Sequence, residues 1–133
     1  MKRNDKKKYL RDYIYIDSDI MALQDEYEIL YTQATKMTPV QNEIGGGHAT
    51  KMDSAVERNA VKLVEIQRKI EKLKDKKKRI EAEVAKLKPH QRYLITRVDL
   101  EHVPISRVAR ETHRAEATVR NNRNNIIDTM FLQ

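Results

Sequence analysis

Apolar residues recur along the first quarter of the chain as Tyr9, Tyr13, Ile16, Ile20, Leu23, Tyr27, Leu30 and Ala34. The steps alternate between four and three residues, the spacing of a heptad seam, and no Pro or Gly interrupts them. This predicts one amphipathic helix over 1–34. A second stripe, Val56, Leu63, Ile66, Ile70, Leu73, Ile80, Val84 and Leu87, keeps the same register, with Asn59 and Lys77 on seam positions. Ser54 and Glu57 have the spacing of a capping box and mark the predicted start of this helix. Pro89 marks its end, because the residue before a proline disfavours helical backbone. A helix over 54–88 would be ~50 Å long. Neither helix shows a second apolar face, so each stripe needs a partner. That partner is either the other helix, in a coiled-coil-like antiparallel hairpin, or another chain.

Residues 35–53 hold Pro39 and all three glycines, Gly45-Gly46-Gly47, and read as a linker in which the chain reverses. A phosphate loop does not fit: His48-Ala49-Thr50-Lys51 follows where Gly-Lys-Ser/Thr is required, and no strand precedes it.

The pattern changes in residues 89–133. A helical stretch with apolar Tyr93, Leu94, Ile95, Val98 and Leu100 runs from Pro89 to near Val103-Pro104. Ile105–Thr112 then reads as a short helix with Pro104 at its entry. His113-Arg114 forms a tight connection, and a third helix follows from about Ala115 to Phe131. Two short helices joined by a tight turn predict a helix-turn-helix unit whose second helix enters the major groove. Ala109 is the small residue where the two helices cross. Val119, ten positions on, is the inward residue of the second helix. Val108, Ile126, Ile127 and Met130 complete the expected inner face. The outer face carries Glu116, Ala117, Arg120, Asn121 and Asn124 as base readers, since Arg suits guanine and Asn suits adenine. Arg107, Arg110, Arg114 and Arg123 are the expected phosphate contacts.

Composition narrows the class. Aromatic residues are 5% and charged residues 35% of 133, which favours an all-α protein over a sandwich or barrel. No apolar run approaches the roughly 20 residues of a membrane span, and the basic start MKRNDKKKYL has no apolar core behind it, so no secretory signal is expected. Cysteine is absent, and His48, His90, His102 and His113 lack metal-ligand spacing. No enzyme, metal or cofactor is expected, and a cytoplasmic location is the default. The net charge of +7 is unevenly spread. Residues 12–34 carry six acids and no base, whereas 54–88 carry twelve bases and six acids, so these segments have charges of −6 and +6. Pairing between them would consume much of the positive charge. The basic start (Lys2, Arg3, Lys6, Lys7, Lys8) reads equally as a salt-sensitive DNA attractant and as a solubilising tail.

Leu87 with Arg92, Val108-Ala109 and Thr118-Val119-Arg120 resemble the fourth region of sigma-70-type factors. His113 stands where that pattern usually has Gly, Arg114 where it has an apolar residue, and Ala115 where it has a capping Ser or Thr. The order and length of the whole chain resemble small phage late-gene transcription activators of the RinA/ArpU type. This resemblance implies activation of late phage genes from a specific promoter in the bacterial host cell, with double-stranded DNA and host RNA polymerase as partners. A monomer or homodimer is expected. The alternative is a DNA-packaging adaptor like a small terminase subunit, although those usually place the DNA-binding helices first.

Overall fold

In a computed structural model, residues 1–36 and 49–132 are described, with side chains for 1–35 and 55–132. The architecture is all-α, with no strand among the described residues. Six α-helices follow in order: α1 (Arg3–Arg11), α2 (Tyr13–Lys36), α3 (Ala49–Ala85), α4 (Pro89–Ile95), α5 (Ile105–Thr112) and α6 (Glu116–Thr129). A π-helical turn, Thr96–Leu100, continues α4. No described helix is long and apolar enough to cross a membrane.

The single first helix expected over 1–34 is two helices, broken at Asp12. The expected start of the second helix also moves. Helix α3 begins at Ala49, so Ser54 lies inside it and the Ser54/Glu57 pair does not cap it. The Gly45-Gly46-Gly47 turn lies outside the described residues.

The chain divides into two compact units. The first combines Met1–Asp17 with Asp75–Gln133, so the boundaries drawn from sequence at 34/35 and 88/89 do not separate it. Its core holds Leu10, Ile16, Ile80, Ile95, Val108, Val119, Ile127 and Met130, all at most 2% exposed. Leu94, Val98 and Leu100 are buried as expected. Tyr93 is not: it is 44% exposed, because its hydroxyl reaches across to donate to Glu111 Oε2 at 2.7 Å. Two ion pairs link the acidic and basic segments inside this unit, Lys76–Asp12 and Lys77–Asp17, each at 2.8 Å. The seam lysine Lys77 therefore reaches an acid rather than sitting unpaired.

The second unit, Ser18–Lys74, is made of α2 and α3 residues alone. Every seam residue from Ile20 to Ala34 is at least partly covered, and every other described side chain of that stretch is exposed. Ile66 and Ile70 are buried, and Gln67 donates to the Tyr27 hydroxyl at 3.3 Å. Leu23 and Leu73 line one shallow cleft, and Leu30 and Ile66 line another. Asp19, Asp25, Glu26 and Glu28 form no ion pair with α3 among the described residues. Exposed charges gain little from close pairing.

Candidate nucleic-acid interface

Helix α5 spans the eight residues read from the sequence, Ile105–Thr112. Pro104 fits its entry because a fixed φ and a missing N–H cost nothing there. Its exit is a Schellman turn. His113 N–H donates to the Arg110 carbonyl at 3.3 Å and Arg114 N–H to the Ala109 carbonyl at 2.9 Å. His113 takes φ 56° and ψ 43°, the left-handed conformation usually left to glycine. Histidine tolerates it better than most residues, and the two hydrogen bonds hold it there. Ala115 then opens α6 in extended backbone, without a side-chain cap. Glu116 in the first turn supplies a negative charge toward the positive end of the helix dipole.

The crossing of α5 and α6 is small and apolar. Val108 is 0%, Ala109 4% and Val119 2% exposed, and Ile126, Ile127 and Met130 continue the buried side of α6. With that side turned inward, Glu116, Ala117, Arg120 and Asn121 are exposed along the helix. Asn124 is half-buried, and its Oδ1 is shielded from solvent without a hydrogen-bond partner. Of the expected phosphate contacts, Arg110 and Arg114 are exposed, and their side chains form no ion pair or hydrogen bond among the described residues. Arg107 is exposed and lies 3.5 Å from Glu111. Arg114 also borders a cleft of about 510 Å³ lined by His90, Tyr93, Leu94, Val119 and Asn122.

Arg123 is a correction to the sequence reading. It is 7% exposed and points into the first unit, not toward solvent. Its Nε lies 3.1 Å from both Asp99 oxygens, and its Nη2 lies 2.5 Å from Oδ1. Asp99 is fully buried. The π-helical turn, which buries Val98, Asp99 and Leu100 in succession, brings this carboxylate inside. The Nε–Nη2 edge of Arg123 is taken by the carboxylate, and its burial keeps the guanidinium from the surface where a phosphate would lie.

A second polar cluster holds α5 against α4. Arg97 binds Glu111 through Nη2 at 2.5 Å and Glu101 through Nη1 at 2.9 Å, and Tyr93 adds the hydrogen bond described above. The Arg97 hydrogen bond, then that of Tyr93, holds the Glu111 carboxyl below its ordinary value. A carboxyl lowered by folding contributes stability at neutral pH. That contribution is lost as the pH falls from the ordinary carboxylate range through the lowered value. Thermal unfolding followed from neutral to acidic pH should therefore show a destabilisation that is smaller in Glu111→Gln, which has no proton to take up.

Neither Asp99 nor the Glu111 cluster was anticipated from sequence. Asp99 did leave a signal: an acid one residue after Val98 and four after Ile95 shares their core-facing arc, which calls for a buried cation.

No known protein family, curated protein or solved structure matches this chain.

Proposed function

We propose that this protein is a sequence-specific, double-stranded-DNA-binding transcriptional regulator, with α5 and α6 as a helix-turn-helix and α6 as the major-groove helix. One observation carries the reading. Ala109, left-handed His113 and buried Val119 sit at the spacing that crosses two helices in this module, and the opposite side of α6 presents Glu116, Ala117, Arg120 and Asn121 to solvent. Arg107, Arg110 and Arg114 supply phosphate contacts; Arg123 is withdrawn from that set. Asn124 is half-buried and its Oδ1 is shielded from solvent, so Arg120 and Asn121 carry the proposed base reading. In this proposal α2 and α3 pair as a helical hairpin. The sigma-like residues Thr118-Val119-Arg120 favour activation of late phage genes with RNA polymerase in the bacterial host cell over DNA packaging.

The test is footprinting on DNA around this gene, with and without polymerase, followed by titration of the protected duplex. Arg120→Ala is expected to cost ~1–3 kcal/mol on the selected sequence and to relax choice at one base position. Arg110→Ala is expected to weaken binding about equally on selected and random duplex. Equal losses on both duplexes for Arg120→Ala would reject base reading by this helix. A ring of many subunits in solution would favour packaging instead.

A further inference from the structure

We propose that one side of the α2–α3 unit is the surface on which a second copy of this chain docks, with the acidic rim of each copy against the basic rim of the other. The inference is independent of the DNA-binding reading. Two clefts draw this side, and because both are lined by Lys69 they form one groove. On α2 its wall steps through Asp19, Ala22, Glu26 and Ile29. On α3 it steps through Lys62, Glu65, Lys69 and Lys72. Both runs alternate three and four residues, so each keeps to one line down its helix. Between the walls the floor is apolar, made by Leu23, Leu30, Ile66 and Leu73. Ile29 stands over it with 61% of its surface exposed.

Charge identifies the occupant. Asp19 and Glu26 mark the α2 rim, and Lys62, Lys69 and Lys72 mark the α3 rim, with Glu65 as the one acid among them. None of these six forms an ion pair among the described residues. The two ion pairs that join the acidic and basic segments, Lys76–Asp12 and Lys77–Asp17, both lie in the other unit. Along the groove the matched charges of the two segments are therefore unused within the chain.

A face with one acidic and one basic rim is complementary to itself. A two-fold rotation lays the α2 rim of each copy on the α3 rim of its partner, and both contacts are acid against base. Setting α2 on α2 would oppose acids, and setting α3 on α3 would oppose bases, so the rims select one arrangement. Burial of Ile29 and the apolar floor supplies the affinity, and the rims supply the choice of partner. From Asp19 to Ile29 the groove runs ~15 Å along α2. The interface is small, so the expected dissociation constant is micromolar.

The test is sedimentation equilibrium of the full chain from about 1 to about 300 μM, a range that brackets micromolar affinity. Wild type is expected to pass from monomer to dimer. Lys69→Glu with Lys72→Glu makes both rims acidic, and Asp19→Lys with Glu26→Lys makes both basic. Each double variant should self-associate at least about tenfold more weakly at low salt. Mixed in equal amounts, the two restore acid against base at both contacts and should form a one-to-one heterodimer, which a merely damaged fold would not do. Ile29→Lys should abolish the dimer, and thermal unfolding at low concentration should stay close to wild type because the residue is exposed. Three results would overturn the proposal: a wild-type chain that stays monomeric throughout, a dimer that keeps its affinity in both double variants, or double variants that fail to pair when mixed.

Discussion

Asp99→Ala is expected to lower the stability of the protein by about 3–5 kcal/mol, seen as a shift of the urea midpoint at neutral pH. The magnitude follows from what remains behind. Arg123 is 7% exposed, and Asp99 is its only acceptor among the described residues. Removing the carboxylate strands a guanidinium that must either stay desolvated or tear the C-terminal helix outward. Small domains have only about 5–15 kcal/mol in hand, so the loss is a large share of the total. Replacing both partners, as in Asp99→Leu with Arg123→Met, should be far milder, because an apolar pair of similar volume removes the desolvation cost along with the attraction. The same double variant separates structure from function. If Arg123 serves only the core, DNA affinity and its salt dependence survive in the refolded double variant. A loss below about 1 kcal/mol for Asp99→Ala would mean that the pair is open to water, and Arg123 would return to the set of phosphate contacts.

Which parts were legible in the sequence follows from the kind of signal each carries. Helix α5 and the burial of Ala109 and Val119 were legible because each rests on a local rule, proline entry for the helix and apolar spacing for the buried positions. The two heptad stripes were legible for the same reason, down to the covered positions Leu23, Tyr27, Ile66 and Ile70. Arg123 was misassigned because it stands three residues after Arg120, although it is also four after Val119 and three and four before Ile126 and Ile127, which puts it on the inward side of the helix. Its true direction depends on Asp99, which lies 24 residues away. The π-helical turn that brings Asp99 inside has no sequence rule of its own. Of the two readings of the basic start, the solubilising tail is the one that does not hold, for a related reason. A run rich in lysine looks like a solvated tail, and only the tertiary partners Asp128 and Phe131 give Arg3, Lys6, Tyr9 and Leu10 fixed positions. Errors of both kinds arise where a charged residue is satisfied by a group distant in sequence.

Leu10→Ala tests that last point directly and is expected to cost about 2–5 kcal/mol. In a disordered tail the same change would alter stability by no more than about 0.5 kcal/mol. Leu10 is 0% exposed, and it lies next to a ring cluster in which Arg79 stands 5.5 Å from the Tyr9 centroid and 5.3 Å from that of Phe131. Truncating a side chain with no exposed surface leaves a cavity beneath α1. The polar contacts cannot substitute for the lost packing. The Arg3–Asp128 pair is nearly half exposed on both sides, so water replaces it readily, and Arg3→Ala should shift the melting temperature much less than Leu10→Ala. Hydrogen exchange supplies the spatial readout. In Leu10→Ala the amides of the last two turns of α6 should lose protection together with those of α1, because Lys6 and Leu10 hold the two ends as one cooperative piece. If α1 amides alone exchange faster while α6 keeps its protection, the N-terminal helix is an appendage and not part of the cooperative core.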